Sequence, residues 1–316
     1  ARALNTRHTH VTLDGDAWRA GMIDLIEQTG LPLSTPNEVA IANITQLLRS
    51  DGYKVALSGE GADEFFAGYE SALDAAAAFC AHPADAAGHA RFAIDNASWV
   101  GLEHKHLVMR EPQDDNEMIM FYTRHFEECM ADESLKVQGE LGTCAAHLRL
   151  SQRVNLSGLL LRLDSCAMRS GVEGRTPFAD IRVARIAASL PMAWHYSPPG
   201  VSGLGSGAGM RTKKMLKSSF SGDVPLEIIE RPKASFALPF GSWMGPLLAG
   251  LPESDAACEV FTPQAIGLVA SQPTTAWALG WPMLNISLWL ERWWGAGELC
   301  ADAFADRSLS KNLSLS

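Results

Sequence analysis

The sequence predicts an α/β fold whose second half is mostly helical, and three observations carry that expectation. A short apolar run, Tyr53-Lys54-Val55-Ala56-Leu57, reads as a buried strand and enters a glycine turn, Ser58-Gly59-Glu60-Gly61, that resumes as a short helix through Ala62, Asp63, Glu64, Phe65 and Phe66. A helical stripe and an Asp51-Gly52 turn pair precede the run, so the local order is helix, turn, strand, glycine turn, helix. From Ser71 onward, apolar residues recur mainly at helical spacing.

Taken in order, the chain opens at Ala1 without a methionine and leads into His8-Thr9-His10-Val11-Thr12-Leu13, which reads as a short strand. Such a start suggests a processed or partial chain. His8 and His10 alternate on one strand face, but no third ligand is evident, so a structural role is expected. Trp18, Met22, Leu25 and Ile26 form one helical stripe; Ile41, Ile44, Leu47 and Leu48 form a second. Helices are expected over 71–80, roughly 86–108, 116–130, 149–168 and 181–190, with Gly174 and Pro177 breaking the pattern between the last two. Ser197 to Gly209 is a proline- and glycine-rich interval, either a surface loop or a mobile segment over a site. A tryptophan-rich helix from Trp277 to Trp294 is expected to pack in the core. This organisation divides into 1–70, part of the α/β core, 71–300, a mostly helical completion, and 301–316, a polar tail.

With 316 residues, the chain is long enough for one large domain or two modest ones. Its net charge of -10 argues against a nucleic-acid backbone or an anionic membrane surface as partner. A local basic pocket for a small anion remains compatible with that charge. No apolar run reaches spanning length and no signal peptide is visible, which points to a cytoplasmic protein. The six cysteines include no CxxC pair and read as buried thiols of a reducing compartment, not as a disulfide framework or a zinc site.

The chemistry concentrates at 58–64. Strand, glycine turn and helix is where open α/β folds place ligands, and glycines let backbone N–H groups approach an anion. Three acids in that turn, Glu60, Asp63 and Glu64, would repel a bare phosphate unless a divalent cation lies between, so the pattern suggests a metal-bridged phosphate. Glu60 sits inside the turn and is the better candidate for contact with substrate. Farther along, Arg211, Lys213, Lys214 and Lys217 form a basic run, and Lys233 follows Arg231-Pro232. A fixed ammonium there could neutralise charge on a transferring phosphoryl group. Glu173, Arg175 and Asp180 surround the Pro177-Phe178 break, where an ion pair pinning a loop and a functional role are equally open.

The segments LSGEGADEFFAGY (57–69), LDSCAMRSGVEGRTPFAD (163–180), KKMLK (213–217), ERPKASFALPFGSWM (230–244) and WALGWPMLNISLWLERWW (277–294) together resemble the synthetase domain of the asparagine synthase family, in matching order and separation. The resemblance runs from about His8 to Trp294. It implies an ATP-pyrophosphatase fold, a parallel sheet with helices on both faces and a mostly helical C-terminal part. It also implies an ATP- and Mg²⁺-dependent, AMP-forming reaction, in which a carboxylate becomes an acyl-adenylate and ammonia or an amine displaces AMP. By position in these motifs, Glu60 would lie near the acyl group and help accept the amine proton. Asp63, with Glu64 as a further metal ligand, would engage Mg²⁺ and pyrophosphate. Lys233 would stabilise the pentavalent phosphorus and the adenylate; Ser58, Gly59, Lys213 and Lys214 would contact the nucleotide.

The sequence departs from the family pattern in informative places. The glycine-serine pyrophosphate loop of the form SGGLDS is absent, as is the N-terminal glutaminase domain, so an upstream segment or partner chain carrying them is expected. Asp164-Ser165 replaces the usual Asp-Arg, Glu173-Gly174-Arg175 replaces Glu-Ala-Arg, and Ala67 stands where glycine is usual. The expected activity is that of an amide-bond synthetase acting on a small carboxylate and an amine or ammonia. The alternatives are a β-lactam-forming or peptide-macrocyclising relative and a non-catalytic scaffold or partner subunit. An unrelated nucleotide-binding fold such as a methyltransferase would account for the first motif alone.

Overall fold

The computed structural model describes residues 4–200, 211–231 and 238–293. In chain order, α1 (Gly15–Thr29) and α2 (Glu38–Ser50) precede β1 (Val55–Leu57), α3 (Ala62–Phe66), α4 (Glu70–Cys80), α5 (Ala86–Ala97) and α6 (Lys105–Val108). Then come α7 (Asn116–Met130), α8 (Glu133–Lys136), α9 (Glu140–Val154), α10 (Leu156–Met168), β2 (Glu173–Arg175) and α11 (Ile181–Ser189). The remaining helices are α12 (Lys214–Ser219), α13 (Leu226–Ile229), α14 (Phe240–Ala249), α15 (Asp255–Val260), α16 (Pro263–Ser271) and α17 (Trp277–Trp293).

The expected sheet is not there. Among the described residues, β1 and β2 form one parallel pair, with Val55 opposite Glu173, Ala56 opposite Gly174 and Leu57 opposite Arg175. The architecture is therefore predominantly helical, not the multi-stranded parallel sheet flanked on both faces that an ATP-pyrophosphatase fold requires. Parallel strands are normally covered on both faces, yet Val55 is 41% and Leu57 75% exposed. The buried strand expected at 53–57 is thus a three-residue ribbon with only Ala56 half-buried. The expected strand at 8–13 is also absent: those residues adopt no regular structure, and His8 and His10 are exposed. Alternation over so few residues, without a neighbouring strand to pair with, does not make a strand.

The chain divides into two compact units. The first contains Ala1–Thr12, Ala40–Leu102 and Asp114–Ala237. Its core gathers Leu73, Phe126, Cys129, Leu135, Leu150, Met192 and Tyr196 around α4, α7 and α9. Ile119, Phe126 and Cys129 recur along the buried face of α7, the spacing of an amphipathic helix. The expected helix over 149–168 divides at Asn155 into α9 and α10. At the ribbon, Gly174 lies under Leu163 of α10, and an added Cβ would sit 3.1 Å from Leu163 Cγ. That close approach gives the glycine in Glu173-Gly174-Arg175 a packing reason.

The second unit contains Leu13–Val39, Glu103–Gln113 and Leu238–Ser316. Asp14 caps α1 by accepting from Ala17 N–H at 2.8 Å, and Gly30 ends it in the left-handed conformation at φ 68°. Trp18, fully buried, meets Phe240, Trp243 and Trp281 at ring separations of 5.8, 6.3 and 6.4 Å. Its indole N–H donates to Pro36 O, which satisfies the polar end of the ring. Asn285 of α17 clamps the backbone of Leu33 by accepting from its N–H at 3.0 Å and donating to its C=O at 2.7 Å. The tryptophan-rich segment is thus a core helix, as expected. No helix among the described residues is long and apolar enough to cross a membrane.

Candidate functional site

The turn at 58–61 is held at both ends by backbone bonds. Ser58 N–H donates to Arg175 O at 2.8 Å, and Ala62 N–H to Gly59 O at 3.2 Å. Gly61 adopts φ 93°, and a Cβ there would lie 2.9 Å from the backbone nitrogen of Ala179. Only glycine fits that combination of left-handed backbone and close approach. The Pro177–Ala179 turn, which interrupts the helical pattern after β2, thus seats directly against the acidic turn.

Each of the three acids has a defined partner. Glu60, half-buried, forms an ion pair at 2.8 Å with Arg162 of α10, whose side chain is only 10% exposed. Asp63 Oδ1 lies 2.9 Å from Lys213 Nζ, both side chains being about three-quarters buried. Glu64 is 1% exposed, accepts from Gly61 N–H at 3.0 Å on one oxygen and from the Tyr69 hydroxyl on the other. Burial and then the Glu64 bond push the Tyr69 hydroxyl well above the ordinary phenol range; the charges of Glu64, Asp63 and Glu60 all add to the shift. Glu64 itself is a capping residue: its side chain closes the first turn of α3, while Gln152 of α9 holds its backbone carbonyl at 2.9 Å.

The basic run separates into anchors and facing groups. Arg211 is bound to Glu70 and Asp74 of α4. Lys214 donates to Ala193 O at 2.7 Å and Ser197 Oγ at 2.9 Å, and burial lowers its proton affinity. Lys213, in the left-handed conformation at φ 51°, turns instead to Asp63. Lys217 sits in its field: burial first, then the Lys213 charge, lower the Lys217 pKa, with Glu70 and Glu230 opposing. Gly68 makes the approach possible, since a Cβ there would fall 1.8 Å from Asp63 Oδ1 and 2.3 Å from Lys213 Cε.

Of the sequence-based candidates, Ser58, Gly59, Glu60, Asp63, Glu64 and Lys213 are thus brought to one loop, while the Lys214 ammonium is bound to the 193–197 segment. Lys233 and most of the glycine-rich interval lie outside the described residues. Glu173 and Arg175 form an exposed pair at 2.9 Å, whose contribution to stability is small. Asp180 caps α11 and binds Arg182; those hydrogen bonds hold its carboxyl at about 2. Sequence reasoning missed Arg162, Tyr69 and Gln152. Arg162 stands immediately before the 163–180 motif, and Tyr69 closes the 57–69 motif without having been given a role.

The family model described as Asparagine synthase matches residues 1–291. The chain belongs to the asparagine synthase family. Curated relatives of this family from Mycobacterium tuberculosis and Mycobacterium bovis, provisionally named glutamine-hydrolyzing asparagine synthetase, are 24% identical over 267 residues. The match covers 77% of this chain and 38% of each relative. The chain thus corresponds to well under half the length of the asparagine synthase relatives it matches, and at low identity it is a diverged member.

In the family setting, the loop can be tested for the Mg²⁺ and ATP that such proteins imply. Asp63 and Lys213 fit: a carboxylate for a cation and an ammonium for a phosphate oxygen stand side by side, with no Cβ at Gly68 to crowd them. Glu64 fits poorly as a metal ligand, because both of its oxygens already accept hydrogen bonds within the loop.

Proposed function

We propose that this chain is the synthetase portion of an ATP-dependent, AMP-forming amide-bond enzyme that activates a substrate carboxylate for attack by ammonia or an amine. The observation that carries this reading is the meeting of Glu60, Asp63 and Lys213 at one glycine-bounded loop, in a chain of the asparagine synthase family. In this reading the substrate carboxylate oxygen attacks the α-phosphorus of ATP and pyrophosphate leaves. The nitrogen nucleophile then attacks the acyl carbon, AMP leaves, and Glu60 accepts the proton released. Arg162 orients Glu60 for that step through their ion pair. Bound Mg²⁺ would neutralise the leaving pyrophosphate. Asp63 would hold that cation, releasing Lys213 to a phosphate oxygen. Lys233 would stabilise charge on the reacting phosphorus, the role its motif position implies.

Acid-dependent exchange of labelled pyrophosphate into ATP, measured on the complete protein, tests this directly. Glu60→Gln and Lys233→Ala should each lower amide formation by about 10²-fold or more. Lys233→Ala should also suppress exchange, whereas Glu60→Gln should spare much of it, because adenylation precedes the proton transfer. Absence of exchange with every acid tried would overturn the reading in favour of a non-catalytic partner subunit. The self-contained Glu60–Arg162 and Asp63–Lys213 pairs are compatible with that second role. The nitrogen source and the choice between simple amidation, β-lactam closure and macrocyclisation are read from the products of the same assay.

A further inference from the structure

A second cluster of reactive side chains lies in the first unit, apart from the acidic loop's ion pairs. Cys80 is the last residue of α4, His89 lies in the first turns of α5, and Cys144 and His147 stand three residues apart on α9. Residues three apart share a helix face. The Cys80 sulfur, one nitrogen of His89 and one of His147 all lie within 4.8 Å of one another. His89 Nδ1 is 2.9 Å from His147 Nε2. Both histidines are buried. Phe79, Phe92 and Phe126 enclose the imidazoles, with His89 stacked on Phe126 at 4.5 Å.

We propose that Cys80, His89 and His147 form a tetrahedral site for a zinc-class divalent cation, with water in the fourth position. The donor chemistry decides the class of ion. Thiolate and imidazole suit zinc and related transition metals, whereas magnesium and calcium take oxygen ligands. Geometry is close to what such an ion needs. Bond lengths of about 2.0–2.1 Å to nitrogen and 2.3 Å to sulfur place tetrahedral ligand atoms roughly 3.3–3.8 Å apart. The imidazole nitrogens need to part by a few tenths of an ångström from their hydrogen-bonded separation. Binding releases the Cys80 thiol proton to solvent, and the proton shared between the imidazoles moves to an outward ring nitrogen. The ligands come from three helices that a hydrogen bond and aromatic packing already bring together, so the ion would tie α4, α5 and α9. The absence of a CxxC pair hides such a site in the sequence, because the donors are spread over residues 80 to 147.

The test uses the complete chain, purified under reducing conditions, stripped with a chelator, and loaded separately with zinc(II) and cobalt(II). One equivalent of either metal should bind. Cobalt should give the visible bands of tetrahedral coordination and a sulfur-to-cobalt charge-transfer absorption. Cys80→Ser should weaken affinity by about tenfold or more and abolish the charge-transfer absorption, whereas Cys258→Ser should change neither. A measurement on the unsubstituted chain guards against variants that misfold: zinc should slow alkylation of Cys80 while exposed Cys258 stays reactive. Failure to retain metal, binding by Cys80→Ser equal to that of the unsubstituted chain, or alkylation unaffected by zinc would overturn the proposal.

Discussion

In the loop at 58–69, every acid meets a cation or a hydrogen-bond donor: Glu60 has Arg162, Asp63 has Lys213, and Glu64 has Gly61 N–H and the Tyr69 hydroxyl. The buried histidines of the same unit are treated in the opposite way. Burial holds His89 and His195 below the ordinary imidazole range and His147 at about 3, so the rings stay neutral among apolar neighbours. The loop keeps charge by pairing it; the helical core admits polar rings by discharging them. The difference teaches what each region is sensitive to. Paired charges depend on the placement of a few backbone atoms, whereas discharged rings depend on solvent exclusion and proton activity.

The comparison can be broken first at the backbone. Gly61→Ala should cost about 2–4 kcal/mol, from left-handed strain and a clash with the Ala179 backbone, measured by urea unfolding. A near-neutral result would show that the loop tolerates displacement and that its pairs are not geometrically fixed. Glu64→Ala should come next, at about 2–3 kcal/mol, because it leaves the Gly61 N–H and the Tyr69 hydroxyl without their acceptor. The discharged side is sharpened by pH. A pKa held below the unfolded imidazole value means the unfolded chain binds more protons at acid pH. The contribution of His195 is therefore fully present above about pH 6.5 and is lost as pH falls toward its folded pKa. His195→Gln should lose less stability than the unsubstituted chain between neutral and mildly acid pH in paired urea titrations. An unchanged pH slope would remove His195 from the discharged class.

The smallest effect is expected at Ala67. This fully buried alanine occupies the left-handed region at φ 58°, which glycine adopts without steric cost. Relief of about 1–2 kcal/mol of strain in Ala67→Gly is opposed by a more flexible unfolded chain and about 0.8 kcal/mol of lost methyl burial. The net change should be within about 1 kcal/mol by thermal melting, so divergence at this position is nearly silent in stability.

The helices were largely legible because their signal is local. The stripes through Trp18 to Ile26 and through α7 repeat often enough to define a face, and α17 announced its core role by its tryptophans. The sheet was not legible. Tyr53–Leu57 is too short to distinguish a central strand from a ribbon, and its burial depends on neighbours that periodicity does not encode. In the loop, the glycines and acids were visible as a motif, but their partners were not. Glu60 and Arg162 are 102 residues apart, and Asp63 and Lys213 are farther still. Nothing in the basic run distinguished Lys213, which turns to Asp63, from Lys214, which is tied to Ser197. The Cys80–His89–His147 cluster escaped for the same reason, since helix packing alone unites it.

The division of the second unit into Leu13–Val39, Glu103–Gln113 and Leu238–Ser316 has a consequence for biosynthesis. Trp18 leaves the ribosome long before Phe240, Trp243 and Trp281, the rings that enclose it. At about 5–20 residues per second, the gap between Val39 and Leu238 lasts roughly 10–40 s. Throughout that interval the apolar face of α1 must remain uncovered or be sheltered by a chaperone. The nascent chain's exposure to aggregation is thus set by how far apart in sequence the pieces of that one core are written.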